Sequence, residues 1–199
     1  MQITRIHMAD RTLSLMAGVD PVGELVLRAR DGDAEAFAGL YDLFHARLYR
    51  FFVANVRNRT EAEDLAAEVF VEAAQRIRTF DGNGPAFAGW LFAMARNDLA
   101  DIRRRLRRRV VEPFAEPPEP SHVEDFADEL ASRLDAGAIM WAVDRLTDDQ
   151  RQIITLKFAG GLTNDEICEA TGKPLTAVKS LQHRALATLK RLLDTEAGV

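Results

Sequence analysis

The spacing of the apolar residues restricts this chain to helical folds. Between Phe37 and Leu192, apolar side chains recur at steps of three and four residues. Such steps place side chains on one face of an α-helix, whereas strands show alternation with a period of two. That alternation is almost absent here, so the sequence predicts an all-α fold.

Capping and turn residues divide the chain into separate helices. Three pairs have capping-box spacing and predict helix starts: Thr60 with Glu63, Thr147 with Gln150, and Thr163 with Glu166. Glycine-containing turns predict ends at residues 81–84, 160–161 and 171–172. Pro85 is suited to the first position of a new helix, and Thr176 to the cap of the last one.

A proline-rich acidic segment separates two groups of helices. Residues 110–128 hold four prolines and an excess of carboxylates, and proline excludes regular helix. We interpret 110–128 as a linker between one helical domain at 22–109 and a second at 129–195. Residues 1–21 are mixed and polar, and we expect them to form a flexible tail.

Composition and charge exclude several classes of protein. The 199 residues are 47% hydrophobic, which is enough to bury a core, and the net charge of −5 argues against a general polyanion binder. The single cysteine, Cys168, excludes an internal disulfide, and the four histidines lack the spacing of metal ligands. We expect a cytoplasmic protein without metal, cofactor, enzymatic activity or membrane insertion of its own.

The stretch RRRLRRR at 103–109 puts a dense positive block into this acidic chain. It should form the last two turns of the helix that starts near Pro85. Aromatic residues precede it at Phe87, Trp90 and Phe92. Rings beside cations suit single-stranded nucleic acid, because bases stack on the rings and the backbone follows the charge. Each aromatic taken singly also fits an ordinary core, and the block also fits a solvated helix end.

Residues 162–193 have the outline of a helix-turn-helix, whose second helix enters the DNA major groove. A helical hairpin that never touches DNA has the same pattern. The solvent side of the second helix would present short polar and basic groups able to reach bases or phosphates: Thr176, Ala177, Lys179, Ser180, Gln182, His183, Arg184, Lys190 and Arg191.

Two stretches resemble one known family. EAEDLAAEVFVEAAQRIRTFDG followed by GPAFAGWLFAMARNDLADIRRRLRRR is similar to the second conserved region of the bacterial sigma factors, in the extracytoplasmic-function (ECF) branch of the sigma-70 family. LTDDQRQIITLKFAGGLTNDEICEATGKPLTAVKSLQHRALATLKRLL resembles their fourth region. The resemblance implies a region 2 bundle and a region 4 helix-turn-helix, and a protein that directs RNA polymerase to −10 and −35 promoter elements.

The resemblance also implies roles for individual residues. The helix before the turn would dock on a coiled coil of the polymerase clamp, unless it is an ordinary solvated face, through Asp64, Glu68, Phe70, Gln75 and Arg78. The turn would capture a flipped −10 base, with Asn83 as the expected contact, and the full −10 set is Asp81, Asn83, Phe87, Trp90, Arg96, Asn97, Arg103, Arg104, Arg107 and Arg108. The −35 element would meet Thr176, Ala177, Lys179, Ser180, His183 and Arg184.

The partners implied are core RNA polymerase, through its clamp coiled coil and flap, promoter DNA and an anti-sigma factor. The acidic linker would enter the active-site channel as a mimic of nucleic acid, or serve as a solubilising spacer. One departure stands out: the family commonly has Arg then Leu where this chain has Leu181 then Gln182, so a basic group is expected to be missing from the DNA-facing side. The rival interpretations are a stand-alone helix-turn-helix regulator and an inactive protein-binding adaptor.

Overall fold

The computed structural model describes residues 20–56, 58–109 and 136–196 of the chain. Within these ranges no strand occurs, which confirms the predicted all-α fold. Most of the expected tail, the linker at 110–128 and residues 129–135 lie outside the described residues. The helices are α1 Pro21–Arg30, α2 Ala34–Val56, α3 Arg59–Arg76, α4 Gly84–Arg109, α5 Ala136–Asp144, α6 Asp148–Ile154, α7 Asn164–Thr171 and α8 Leu175–Glu196.

Local capping explains where most of these helices begin. The predicted boxes at Thr147 and Thr163 are confirmed, each with reciprocal bonds to the residue three positions on. The box predicted at Thr60 is wrong: α3 begins two residues earlier, where the Asn58 side chain accepts from the Glu61 amide at 3.2 Å. Asparagine is at least as strong a cap as threonine, and Asn58 has the same spacing to an acidic residue.

Short non-α turns follow two of the helices. A 3₁₀ turn, Ile77–Thr79, ends α3, and a π turn, Thr155–Ala159, ends α6. The predicted helix ends at Gly161 and Gly172 are confirmed by positive φ angles of 64° and 66°. Glycine reaches these angles without the steric cost that a side chain imposes. The turn at Gly172 joins α7 to α8 and completes the helix-turn-helix.

Helices α1 to α4 pack around an aromatic core. Phe51, Phe52, Phe87 and Phe92 are all at most 1% exposed. The rings meet edge to face, with 5.5 Å between the centroids of Phe51 and Phe92 and between those of Phe44 and Phe87. This geometry suits the ring quadrupoles. The aromatic residues on α2 and α4 therefore hold the N-terminal bundle together.

The C-terminal helices have a smaller core of their own, but they also join the first one. Ile139, Val143, Leu146, Ala185 and Leu189 form the separate cluster between α5, α6 and α8. By contrast, side chains from 153 to 178 belong to the same buried cluster as the N-terminal bundle: Ile153, Leu156, Leu162, Ile167, Ala170 and Val178. The two predicted helical groups are thus packed against each other, which the sequence did not indicate.

A notch in α4 allows α7 to approach closely. A Cβ atom at Gly89 would lie 2.3 Å from the Cβ of Glu169, far inside contact distance. The missing side chain therefore lets the two helix backbones meet. Only a residue without a Cβ fits at position 89 in this arrangement.

Two arginines of α2 fasten the C-terminal group from the other side. Arg47 donates from Nε to the carbonyl of Gly160 at 2.9 Å and from Nη2 to that of Gly161 at 3.2 Å. Arg50 donates to the carbonyl of Ala159 at 3.3 Å. Arg47 also pairs with Glu166 at 3.7 Å. These bonds join α2 to the end of the π turn.

Candidate nucleic-acid interface

The turn between α3 and α4 is held by bonds from three sides. Asn83 caps α4: its Oδ1 accepts from the Ala86 amide at 3.1 Å, and its backbone carbonyl accepts from Phe87 at 2.8 Å. The Gly84 amide donates to Asp20 at 2.8 Å. Asp81 is fully exposed, 4.0 Å from Arg30. A base contact by Asn83 would therefore come from its Nδ2 donor, because Oδ1 holds the helix start.

The aromatic residues beside this turn differ in exposure. Phe87 and Phe92 are fully buried, so the core alternative holds for both rings. Trp90 is half-buried and lies 4.9 Å from the Phe80 ring and 5.7 Å from the Phe87 ring, centroid to centroid. Phe87 thus supports Trp90 from inside, and Trp90 keeps an accessible part next to the turn.

The basic residues of α4 are mostly engaged by the protein itself. Arg96 donates to the carbonyl of Thr171 on α7 at 3.3 Å, and Arg103 donates to the Asn55 side chain at 3.0 Å. Arg104 is exposed and paired with Asp101. Asn97 is exposed. The helix runs through the whole arginine block to Arg109, as predicted, while the side chains of Arg107 and Arg108 lie outside the described part of the chain.

The recognition helix α8 presents its predicted residues to solvent. Thr176, Lys179, Ser180, His183 and Arg184 are exposed, and Ala177 is half-buried. Their spacing of three and four residues puts the exposed side chains on one face of the first three turns. Thr176 does not cap the helix, since Pro174 supplies the carbonyl that accepts from the amides of Ala177 and Val178.

Positions 181 and 182, where the chain departs from the family pattern, face inward. Leu181 is half-buried against the main core. Gln182 donates from Nε2 to Oδ1 of Asn164, the first residue of α7, at 2.9 Å. The expectation that a basic group is missing from the DNA-facing side is therefore wrong for this structure. The departure instead changes how the two helices of the motif are joined.

The outer face of α3 forms a shallow groove. Asp64, Glu68 and Gln75 line it together with Ala67, Val71 and Glu72. Arg78 is exposed in the 3₁₀ turn that follows. Phe70 is 4% exposed and packs on the rings of Phe37 and Tyr41, so it belongs to the core.

Sequence reasoning missed two residues on or beside this groove. Val71 is 59% exposed in the middle of the carboxylate-rich face. An apolar residue at a surface position of a charged helix was a readable signal. Asp98 lies half-buried on α4, where burial, assisted by Glu72 and Glu68, raises the pKa of its carboxyl to about 6. No sequence signal joins Asp98 to the glutamates of α3, because only helix packing brings them together.

Other kinds of site were searched for in the described ranges. No group of three or more histidine, cysteine, aspartate or glutamate side chains there could hold a metal ion. None of the helices there has the length and apolar character needed to cross a membrane.

Comparisons with known proteins agree with this geometry. The model of sigma-70 region 2 matches residues 39–109, and that of sigma-70 region 4 matches residues 136–189. The ECF RNA polymerase sigma factor BldN of Streptomyces coelicolor is 39% identical over 175 residues, covering 87% of this chain and 66% of BldN. The ECF RNA polymerase sigma factor SigX of Bacillus subtilis is 31% identical over 165 residues, covering 80% of this chain and 84% of SigX.

A solved structure shares the fold. The sigma factor RpoE of Bartonella quintana, in complex with the anti-sigma factor NepR, superimposes with a TM-score of 0.63 at 24% identity, covering 81% of this chain and 98% of RpoE. The two family regions, in the family's order, fall on the helical bundle and on the helix-turn-helix. The chain therefore belongs to the ECF branch of the sigma-70 family and is a sigma factor that directs promoter-specific transcription initiation.

Proposed function

We propose that this sigma factor reads the −35 element with α8 and opens the −10 element with the turn at 81–84 and α4. The observation that carries the proposal is the exposed face of α8, where five polar or basic residues lie together at the start of the second helix of a helix-turn-helix. In that motif, these are the positions that meet base edges.

At the −35 element, Lys179 and Arg184 supply donors for guanine edges or phosphates, while Thr176, Ser180 and His183 provide shorter polar contacts. Ala177 offers a methyl group for thymine. The bond between Gln182 and Asn164 holds α8 at a fixed angle to α7. The motif is therefore preorganised for docking in the groove.

At the −10 element, the turn residues Asp81 and Asn83 would border the captured base, and Trp90 would stack beside it. Asn97 and Arg104 are exposed along α4 and suit phosphate contacts. Arg96 and Arg103 would exchange their protein acceptors for phosphates. Arg107 and Arg108 continue the same stripe, and buried Phe87 supports the tryptophan rather than DNA.

For polymerase, the groove on α3 is the proposed docking surface for the clamp coiled coil, through Asp64, Glu68, Gln75 and Arg78, with Phe70 supporting the helix from inside. Region 4 would meet the flap. We assign region 2 to 22–109, the linker to 110–128 and region 4 to 129–195, with the tail at 1–21. The acidic linker would enter the basic channel that nucleic acid later occupies.

We further infer a cytoplasmic protein with an anti-sigma partner and no chemistry of its own. RpoE, which shares the fold, was solved in complex with its anti-sigma factor NepR. Neither a metal centre nor a catalytic constellation competes with this role in the described residues. The stand-alone regulator is not favoured, because both family regions match sigma factors.

Run-off transcription with core polymerase tests the proposal. Lys179→Gln and Arg184→Gln should each cost about 1–3 kcal/mol of binding on a promoter with an intact −35 element and relax the preference for that element. Lys190→Gln removes the same charge further along α8 and should weaken binding to all templates alike. Operator binding by the chain alone, with no promoter-dependent transcript when core polymerase is added, would contradict the proposal.

A further inference from the structure

The turn proposed to capture the −10 base is joined to the very start of the first helix. Asp20 precedes α1 and caps it, with Oδ1 accepting from the Gly23 amide at 2.9 Å. Its other oxygen, Oδ2, accepts from the Gly84 amide at 2.8 Å, 64 residues further along the chain. One carboxylate therefore serves the N-termini of two helices, where helix dipoles favour negative charge.

Both partner glycines are fitted closely around this carboxylate. A Cβ atom at Gly23 would lie 2.3 Å from Oδ2 of Asp20, and one at Gly84 would lie 2.3 Å from Oδ1. At Gly84 a Cβ would also meet the Cβ of Val22 at 2.8 Å. The absence of side chains at both positions lets the carboxylate reach both amides, so the junction depends on three residues together.

The junction completes the start of α4. The first amide of the helix, at Gly84, is bound by Asp20, Pro85 has no amide hydrogen, and the amides of Ala86 and Phe87 are bound by Asn83. Asp20 is thus the part of this arrangement that comes from outside the turn. The match to the region 2 model begins at residue 39, so α1 and Asp20 lie beyond it.

We propose that Asp20 is a positioning residue for −10 recognition: its carboxylate fixes the turn at 81–84 against α1 and so sets where Asn83 and Trp90 meet the flipped base. This inference rests on the proposed function. Both oxygens are needed, because each accepts a different amide. An asparagine would keep one acceptor and turn a donor toward the other amide.

The experiment compares Asp20→Asn with Asp33→Asn. Asp33 is the matched control, because its Oδ1 accepts from the amides of Glu35 and Ala36 at the start of α2 and makes no contact with the turn. The first readout is hydrogen exchange of the Gly84 amide in the free chain, followed by NMR. We expect Asp20→Asn to speed this exchange about tenfold or more, and Asp33→Asn to leave it unchanged. Unchanged exchange in Asp20→Asn would overturn the proposal without bearing on the proposed function.

The second readout is base discrimination by holoenzyme. Pre-melted promoter templates that differ only in the base to be captured are ranked by affinity for polymerase carrying each variant. We expect Asp20→Asn to reduce the ratio between best and worst base about tenfold, with core-polymerase affinity retained and Asp33→Asn keeping the full ratio. A purely structural role would lower binding to every template equally, which would overturn the proposal. Absence of any discrimination by the unsubstituted protein would instead count against the proposed −10 function.

Discussion

The two helices assigned to promoter DNA, α4 and α8, differ in how their predicted contacts are used. On α4, Phe87 is buried, Arg96 is bonded to α7, and Arg103 is bonded to Asn55. On α8, Lys179 and His183 lie in solvent. The first helix is an integral part of the bundle, whereas the second presents its reading face outward.

This difference indicates two ways of meeting DNA. The face of α8 can dock without loss of protein contacts, so its substitutions should change affinity and leave folding alone. Residues of α4 serve the fold as well as the promoter, and Arg96 must leave Thr171 before it can reach a phosphate. The packing of α7 on α4 therefore competes with part of −10 recognition.

The largest expected effect separates the two helices by stability. Phe87→Ala should destabilise the fold by about 3–5 kcal/mol, because it empties a fully buried site between Phe44, Phe80 and Trp90. His183→Ala on the exposed face of α8 should change stability by less than about 0.5 kcal/mol. Urea unfolding measures both, and equal losses in the two variants would remove the contrast.

A smaller effect should come from filling the notch in α4. Gly89→Ala brings a Cβ against Glu169 and should weaken the packing of α7 on α4 by about 1–3 kcal/mol. The distance between spin labels on α1 and α8 should then broaden, and binding of single-stranded −10 DNA should strengthen as Arg96 is released. Gly39→Ala is the control, since its Cβ would meet only the flexible end of Leu25. An unchanged label distance would show that the notch does not govern the contact.

The smallest effect concerns the charge held between α3 and α4. The pKa of Asp98, about 6, lies above the ordinary 3.8, so the folded state binds this proton more tightly. The stability from protonation is fully present below about pH 4 and is lost as pH rises through about 6. Asp98→Asn should therefore match the parent near pH 4 and exceed it by about 1 kcal/mol at pH 8, after allowance for solvent screening.

Urea unfolding at both pH values checks the Asp98 prediction. Asp101→Asn, one turn away on the exposed side, is the control and should show no comparable gain at pH 8. A gain for Asp98→Asn that is the same at pH 4 and pH 8 would assign the effect to packing instead of ionisation.

Local signals predicted most of the fold. Apolar spacing, two of three capping boxes and the glycines at 161 and 172 depend on neighbours within one turn, so the sequence displays them directly. The contacts that decide how the candidate site is arranged are of another kind: Asp20 with Gly84, Gln182 with Asn164, and Arg96 with Thr171. These pairs are far apart in the chain or depend on which side of a helix turns inward. Phe70 and Phe87 were assigned to surfaces for the same reason, since a helical stripe does not reveal its own width.

The π turn after α6 has a consequence for how this protein can change by insertion or deletion. The arginines of α2 bind backbone carbonyls at 159–161, so the acceptor side of that contact is defined by the path of the chain and not by side-chain identity. The turn closes with a bond from the Gly160 amide to the carbonyl of Thr155, one residue wider than an α-helical turn. Deleting one residue there would restore α-helical geometry and rotate everything that follows by about 100°. A single lost codon would then turn these carbonyls away from α2 while leaving Arg47 and Arg50 in place.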